Sequence, residues 1–546
     1  MRVIAIAALS TVFACSAESA GDDQPPTLEI FTPERGTTAD SHDITVTGHV
    51  SDDAPGVRVT VNGVDTTTGA DGNFSAVVSV DDGISVIETH AIDKAGSDVR
   101  DVRAVLAGTL ASTDGTVSAQ IGARVSAGGL AKVGTVLAGV AQALDWKALA
   151  IAMNPIYDSS GCNSAKLNIE DLTVGTIGVA LVPVNGAITT DVTIDNVYVR
   201  MHANFRAVCI SGSTTVTVRA TRATINGDLA LGADGGKLSA ALPASTVRLD
   251  GFSLDVSGVP GAIESLLKSE ARKAAEKALN NAVKQQVPPK ASEALGGLLA
   301  QGIDVAILDR PTQFAMSPAG VDITPDGLIA LVDAKVLVEG GEGGVYVSSP
   351  SELGSSVWNG GDLGVALADD VLNQLFSGLW ASGAITPTLS LDGQASILAA
   401  LLDDDARSLV IDMKLPPTVR ANAGALELSI GDLIISVRDD SNTEIQQFAL
   451  TIITSLSAAP GASGAVSVTV GTPIIKAQML SQTAAVDVPM TDSKLEDIVN
   501  GAWGLVGGFV DDALANLPLP SVSGLTLGAP SLVGRAGFLV VDLPVQ

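Results

Sequence analysis

Hydrophobic positions along the chain follow two different periods, and the change between them divides the sequence. Between 27 and 108, apolar and polar residues alternate in short runs separated by turn signals, which predicts the antiparallel strands of a β-sandwich. After 108, stretches with apolar residues every three to five positions alternate with series of period-two strands. The spacing of three to five positions predicts helices over 121–145, 261–286, 363–381 and 493–516.

Two of these helices carry boundary signals. The helix from 261 follows Val259-Pro260 and is expected to stop at Val287-Pro288-Pro289, because proline lacks a backbone donor. A second helix is expected from there to about Ala300. Asp492 is expected to cap the last helix, and Leu517-Pro518-Leu519-Pro520 to end it.

The first residues indicate export. After Arg2, the apolar run from Val3 to Phe13 is too short to span a bilayer and is typical of a signal peptide. It ends in Val12-Phe13-Ala14-Cys15, which resembles a bacterial lipoprotein signal and implies lipidation of Cys15. The alternative is plain secretion after a cut near Ala17 or Ala20. We therefore predict a signal peptide over 1–14 and a small, polar tether over 15–26.

The segment 27–108 has the turns of a known module. The hairpin Val59–Gly63, the turn Ala70–Phe74 and the ending Ala91–Gly96 resemble those of bacterial Ig-like domains of the extracellular kind. The likeness implies a fold and no particular function.

Charge excludes one class of partner. Lys and Arg number 31 against 60 Asp and Glu, which gives a formal net charge of −29. Binding to DNA, RNA or anionic headgroups through charge requires a basic face, so no nucleic-acid partner is expected. Hydrophobic residues make up 46% of the chain, enough for large cores, whereas aromatic residues make up only 3%, too few for a sugar-stacking surface.

The sequence has few of the residues and motifs that catalysis requires. The sequence lacks the G-x-S-x-G, H-E-x-x-H, C-x-x-C and glycine-rich phosphate motifs, and His202 is the single histidine after residue 108. We therefore expect no enzymatic activity, no bound cofactor and no metal site. The turn carboxylates Asp52, Asp53, Asp81 and Asp82 and the run Asp403-Asp404-Asp405 could bind Ca²⁺, but they lack a ligand loop of fixed spacing and are expected to be solvated.

Cysteine usage suits an exported chain. If Cys15 carries lipid, Cys162 and Cys209 remain as an even pair for a disulfide in an oxidising compartment. A reactive thiol is the weaker alternative, because neither cysteine has a histidine nearby in sequence.

The order of elements after 108 resembles the tubular lipid-binding superfamily, which includes bactericidal/permeability-increasing protein and lipopolysaccharide-binding protein. Four features carry the resemblance: a helix that would close a first barrel, a short strand followed by an Asp-led helix, closing return strands, and a disulfide pair in the first barrel. They stand here as Ser257–Leu267, Leu363–Asn373, Leu517–Pro520 with Leu525–Leu527 and Phe538–Asp542, and Cys162 with Cys209.

The resemblance implies a mainly β fold: an Ig-like sandwich, then an elongated, boomerang-like module of two barrels, each an antiparallel sheet wrapped around long amphipathic helices. The first barrel would occupy 109–312 and the second 313–546, with the C-terminal return strands in a central sheet. It also implies apolar pockets without catalytic residues. The helix positions expected to line them are Leu130, Leu137, Leu144, Ile263, Leu267, Leu279, Leu372, Leu375, Phe376, Ile498, Val499, Trp503 and Phe509.

One departure limits what the family implies. The mammalian lipopolysaccharide binders have basic tips, whereas the lysines and arginines along 264–284 alternate with glutamates and predict a solvated helix face. We therefore predict a lipoprotein that carries or accepts acyl lipids or phospholipids, with no endotoxin neutralisation implied. Its lipid anchor would hold it in the outer membrane of a Gram-negative bacterium, on the periplasmic face or the cell surface; Ser16, in place of an Asp, favours that membrane. The alternative is a structural or adhesive surface protein on an Ig-like stalk. No protein partner is predicted.

Overall fold

A computed structural model describes residues 24–234, 237–256, 258–259, 261–296, 302–349, 352–358, 360–386, 388–391, 401–422, 425–460, 466–483, 489–501, 503 and 531–544. The chain is 56% strand and 18% helix, which confirms the mainly β fold class. The signal peptide, Cys15, Phe509 and the segment 517–527 lie outside the described residues.

The N-terminal part is a sandwich of two sheets. Its core is made by inward-facing residues of both sheets, among them Val46, Ile87 and Val105. Asn62 and Gly63 both have positive φ and form the predicted hairpin turn. One sheet has the order β1 (Thr27–Thr32), β3 (Asp43–Ser51), β6 (Asn73–Ser79); the other has β2 (Thr37–Ala39), β8 (Asp98–Ala107), β7 (Gly83–Ile92), β4 (Arg58–Val61), β5 (Val64–Thr66).

The first barrel is an antiparallel sheet around three helices. Its centre is one long hairpin, and the remaining strands pair with either side of it. Its strands are β11 (Tyr157–Asp158), β12 (Ser164–Thr173), β13 (Ile177–Val184), β14 (Ala187–Ala207), β15 (Ile210–Asp234), β16 (Lys237–Ala241), β17 (Ser245–Asp250) and β18 (Ser253–Val256). Its helices are α1 (Ala127–Gln142), α2 (Trp146–Ala152) and α3 (Gly261–Gly296).

A central sheet of seven strands joins the two halves of the module. Its order mixes strands from distant parts of the sequence, so neither half of the chain forms it alone. The order is β19 (Ile303–Ile307), β20 (Arg310–Thr324), β21 (Gly327–Val338), β10 (Val117–Ser126), β23 (Leu363–Ala368), β32 (Phe538–Leu543), β31 (Ser531–Arg535). A two-stranded sheet beside it pairs β9 (Leu110–Ser112) with β22 (Val345–Val347).

The second barrel has the same plan as the first. The helix α4 (Asp369–Ala381) lies between it and the central sheet, and α5 (492–501 and 503) packs against its inner face. Its strands are β24 (Thr388–Ser390), β25 (Ser408–Met413), β26 (Thr418–Asn422), β27 (Ala425–Arg438), β28 (Glu444–Pro460), β29 (Val466–Val470) and β30 (Ile474–Gln482).

The sandwich does not stand apart as a stalk, because it packs against the second barrel. Ile84, Ala104 and Leu106 form a buried cluster with Leu415 of the barrel. A Cβ on Gly431 would lie 2.7 Å from Cβ of Ala104, so this glycine allows the close approach. The Ig-like domain predicted for 27–108 is therefore fixed to its neighbour by an apolar contact.

Three helix predictions were partly wrong. Residues 121–126 belong to β10, which lies between β21 and β23; its nearly continuous burial hides the alternation that would mark a strand. Residues 363–368 form β23 for the same reason. The helix from 261 continues through Pro288 and Pro289 to Gly296, because Val287 and Ala291 extend its buried stripe.

The expected cap of the last helix was also wrong. Helix α5 already includes Asp492, whose Oδ1 accepts a hydrogen bond from the backbone N–H of Met479 at 2.8 Å. The side chain of Thr491 accepts from the N–H of Lys494 and takes the capping position.

Candidate functional site

Helix α1 lies unusually close to the sheet of the first barrel. Its start is fixed by Ser126, whose Oγ accepts a hydrogen bond from the N–H of Gly129 at 3.1 Å. Farther along, a Cβ on Gly134 would lie 2.6 Å from the carbonyl oxygen of Val179 on β13. Glycine at this position therefore lets the helix backbone touch the strand.

Helix α3 fills the middle of the first barrel with small side chains. Its buried stripe is mostly alanine, with Leu267 and Leu279 fully buried. Its outer face carries ion pairs within the helix, such as Lys268 with Glu264 and Lys273 with Glu270. These pairs confirm the prediction of a solvated face.

An apolar cleft lies where the three helices meet strands β13 and β14. It measures about 400 Å³ only when the open solvent at its mouth is counted, and the space between its walls is narrow, so it is a shallow apolar groove. Most of its surface is aliphatic. Its lining residues are Leu137, Val140, Ala141, Leu144, Trp146, Val179, Val192, Val283, Gln286, Val287 and Lys290.

The polar atoms of the cleft lie with their own partners or at its edge. The indole N–H of Trp146 donates to the carbonyl of Ala141 at 3.0 Å, so the ring presents an apolar surface. Lys290 and Gln286 are the polar side chains of the lining, and Nζ of Lys290 lies 2.5 Å from Oε2 of Glu293. Val140 is 37% exposed and marks the mouth of the cleft.

The structure places the predicted pocket residues in three different surroundings. Leu137 and Leu144 line the cleft. Leu267 and Leu279 pack in the core of the first barrel, and Ile498, Val499 and Trp503 pack in the core of the second. The remaining described ones share the central core: Leu130, Leu372, Leu375 and Phe376. The side chain of Ile263 lies outside the described residues, as does Phe509.

Sequence reasoning missed helix α2 and with it part of the cleft. This helix begins after Asp145, whose Oδ1 accepts from the N–H of Ala148 at 2.9 Å. It supplies Trp146, and α3 supplies Val283 and Val287. The capping carboxylate followed by an apolar run was the available signal, but a seven-residue helix is too short for a periodic pattern.

The predicted disulfide is confirmed at the tip of the first barrel. Cys209 lies in the turn between β14 and β15 and is bonded to Cys162, and its N–H donates to the carbonyl of Cys162 at 3.0 Å. On either side of Cys209, Val208 is 81% exposed and Ile210 is 74% exposed. The bridge therefore holds two exposed aliphatic side chains at the end of a long hairpin.

Helix α4 is buried on all sides, and its polar side chains bind the surrounding chain. Asn373 exchanges two hydrogen bonds with the backbone of Val419, at 2.7 and 3.1 Å. Gln374 accepts from the N–H of Val336 and donates to the carbonyls of Thr113 and Gly115. The helix thus joins the second barrel, the central sheet and the segment after the sandwich.

Two carboxyl groups at the start of α4 are shifted by burial. Oδ2 of Asp369 accepts from the N–H of Ala421 at 3.0 Å, whereas its Oδ1 is buried with no hydrogen-bond partner among the described residues. Loss of solvation raises the pKa of Asp369 to about 7, and the neighbouring Asp370 adds to the rise. Burial also raises the pKa of Asp370, whose oxygens accept from Ser348 and Ser349.

In the described part of the chain, no group of three or more His, Cys, Asp or Glu side chains is placed to hold a metal ion directly. Three of the four histidines each lie near a single carboxylate: His42 near Asp82 at 2.8 Å, His90 near Asp98 at 3.0 Å and His202 near Glu170 at 4.0 Å.

No single described helix has the length and apolar character to cross a bilayer; α1 and α2 reach that threshold only together, with a bend of 73° between them.

Comparison with known proteins gives one family match and several structural likenesses. The family model described as "Glucodextranase, domain B" matches residues 26–108, which is the sandwich. No curated protein matches the chain. The match covers a small part of the chain.

Three solved structures are similar over different lengths. "Crystal structure of lipopolysaccharide binding protein" has 15% identity and a TM-score of 0.45 over 78% of this chain and 98% of that one. "Solution structure of latherin" has 16% identity and a TM-score of 0.17 over 31% and 91%. "Crystal structure of tetra-tandem repeat in extending region of large adhesion protein" has 12% identity and a TM-score of 0.13 over 96% and 98%.

Proposed function

We propose that this protein is an exported lipoprotein that binds acyl lipids in the apolar cleft of its first barrel, without chemical conversion. The observation that carries the proposal is the cleft itself, an open aliphatic surface between α1, α2 and α3. Its lining favours a hydrocarbon chain over a polar metabolite, because it offers few hydrogen-bonding groups. Lys290 at the cleft is already paired with Glu293, so the hydrocarbon chain and not the headgroup would supply most of the binding free energy.

Burial of the hydrocarbon chain alone can supply the free energy for binding. Burial of one methylene contributes about 0.8 kcal/mol, so a ten-carbon stretch could contribute about 8 kcal/mol before ordering costs. Because those costs lower the affinity, roughly micromolar is the tightest binding that this gain allows without charge recognition. Weak dependence on salt and on headgroup is therefore expected, which suits a chain with a net charge of −29.

The exposed hairpin tip supports a lipid-facing role. Val208 and Ile210 project where the disulfide holds the turn. Aliphatic side chains with this exposure favour contact with another apolar surface. We infer that the tip meets the lipid assembly from which a chain is taken.

Replacing Val140 with Trp is expected to weaken the binding of a fluorescent fatty acid by about tenfold or more, because the indole would block the mouth of the cleft. Val140 is a better site than the fully buried Leu267, where a larger side chain would disturb the core itself. Fluorescence titration gives the affinity, and native mass spectrometry of the purified protein gives the bound lipid.

The matched control is Val182→Trp, at a position that is 53% exposed on β13 and does not line the cleft. This variant should bind like the parent. If both variants bind alike, the cleft is not the lipid site. A parent that is free of lipid and takes up no fatty acid would contradict the proposed function and favour the structural or adhesive alternative.

Replacing Cys15 with Ser is expected to move the protein from the membrane fraction to the periplasm or the medium, because the acyl chains of a mature lipoprotein hold it firmly. Fractionation followed by immunoblotting measures the change. Cys209→Ser, which removes a different cysteine, should stay with the membranes. An unchanged distribution of the Cys15→Ser variant would rule out the lipid anchor.

A further inference from the structure

A small cavity lies where the sandwich, α4 and the second barrel meet. Its lining comes from all three: the turn before β7, the first turns of α4, and strands β26 and β27. It measures about 370 Å³ including its open mouth and is narrow inside, so it suits an ion with its waters better than an organic ligand. We call it the junction cavity. It is separate from the apolar cleft, which lies in the first barrel.

The charges around the junction cavity are mainly negative. Asp82, Asp369 and Glu427 line it, against the guanidinium of Arg420. Arg420 is also drawn outward, since its Nη1 lies 3.6 Å from Oδ2 of Asp81. Asp370 lies next to Asp369, so the local field favours a cation.

One buried atom points to a ligand. Asp369 is only 4% exposed, and its Oδ1 has no hydrogen-bond partner among the described residues. A buried carboxylate oxygen without a partner is costly, and a cation in the cavity would remove that cost. Hydroxyl groups of Ser349, Thr418 and Ser429 lie in the same lining.

We propose that the junction cavity binds a hard divalent cation of the Ca²⁺ type, held directly by Asp369 and completed by hydroxyl oxygens and water. Every candidate ligand is an oxygen, which suits Ca²⁺ and excludes softer metals. The described acidic groups do not form a direct cage of three, so waters must fill part of the coordination shell. A weak site, with Kd on the order of 10⁻⁴ to 10⁻³ M, is therefore expected.

Such a cation would connect the sandwich to the second barrel. It would neutralise Asp369 on α4 beside Asp82 of the sandwich, and any ligand that binds only the folded state stabilises it. Millimolar Ca²⁺ should therefore raise the thermal midpoint by about 1 °C.

The test is a titration of the mature protein with CaCl₂, using thermal unfolding and isothermal calorimetry, with NaCl at matched ionic strength. Asp369→Asn should lose the response. Asp82→Asn, on the exposed side of the cavity, should bind several-fold more weakly and keep its stability in the absence of Ca²⁺. Asp404→Asn, in the acidic turn of the second barrel, is the matched control and should respond like the parent.

The result that supports the proposal is binding of about one Ca²⁺ per chain that depends on Asp369 and Asp82. Equal shifts in the parent and both cavity variants would mean that Ca²⁺ only screens the net charge of −29, and would overturn it. Absence of any heat or shift at 10 mM, taken as about ten times the upper Kd, would overturn it as well. Neither outcome bears on lipid binding, which is measured at the other cavity.

Discussion

Replacing Arg35 with Ala is expected to lower the free energy of unfolding by about 3–5 kcal/mol, because it leaves a buried charge without its partner. Nη1 of Arg35 in the sandwich lies 2.7 Å from Oδ1 of Asp432 in the second barrel, and the Asp432 side chain is 1% exposed. Burial already raises the pKa of Asp432, and Arg35 is the charge that opposes this rise. Without it the carboxylate must be protonated or exposed. Urea unfolding at pH 7.5 measures the loss.

The control for this variant is Arg58→Ala. Its ion pair with Asp65 lies within the sandwich, and the two side chains are 60% and 72% exposed. Exposed pairs contribute about 0–1 kcal/mol, so little change is expected. Adding Asp432→Asn to Arg35→Ala should recover much of the loss. Equal stability of the two single variants would show that the contact between the sandwich and the barrel does not depend on this pair.

Replacing Cys209 with Ser is expected to cost about 2–5 kcal/mol, and the chain-entropy estimate for a loop of 47 residues is about 4 kcal/mol. The bridge ties the tip of the β14–β15 hairpin to the segment before β12. Without it, this end of the first barrel should open first. Thermal unfolding and hydrogen exchange of the hairpin measure both effects.

Reduction of the parent protein gives an independent check. Reductant should lower the midpoint of the parent to that of Cys209→Ser and leave the variant unchanged. Free thiols at both positions in peptide mapping of the untreated protein, or a variant as stable as the parent, would contradict a stabilising bridge. Cys15→Ser should melt like the parent, because that cysteine takes no part in the pair.

Local patterns were enough for the sandwich and for the long hairpin of the first barrel. The hairpin at Asn62-Gly63 and the alternation in β14 and β15 are properties of short segments, which a sequence displays directly. The central strands were harder. Residues 121–126 and 363–368 are covered by neighbours on both edges and are largely buried, and such runs do not show the alternation of a half-exposed strand.

The sequence predicted that apolar helix faces would form the candidate site, but not which of their residues line the opening. Helix stripes identified Leu137 and Leu144, because one apolar face of a helix must be buried. They could not separate the residues that line an opening from those that fill a core, such as Leu267, since both give the same period. The junction cavity was not predictable, because its residues come from four distant segments and meet only through the packing of the sandwich on the barrel.

The position of β32 in the central sheet limits the order in which the protein can fold. Strand β23 has β10 on one edge and β32 on the other, yet β32 is made about 170 residues after β23. In a chain that folds from its N-terminus, the sandwich and the first barrel can form early, while the second edge of β23 stays unpaired and open to any other extended chain. The partly folded molecule therefore keeps one exposed strand edge until its last residues are available, and protecting that edge is a task for a chaperone.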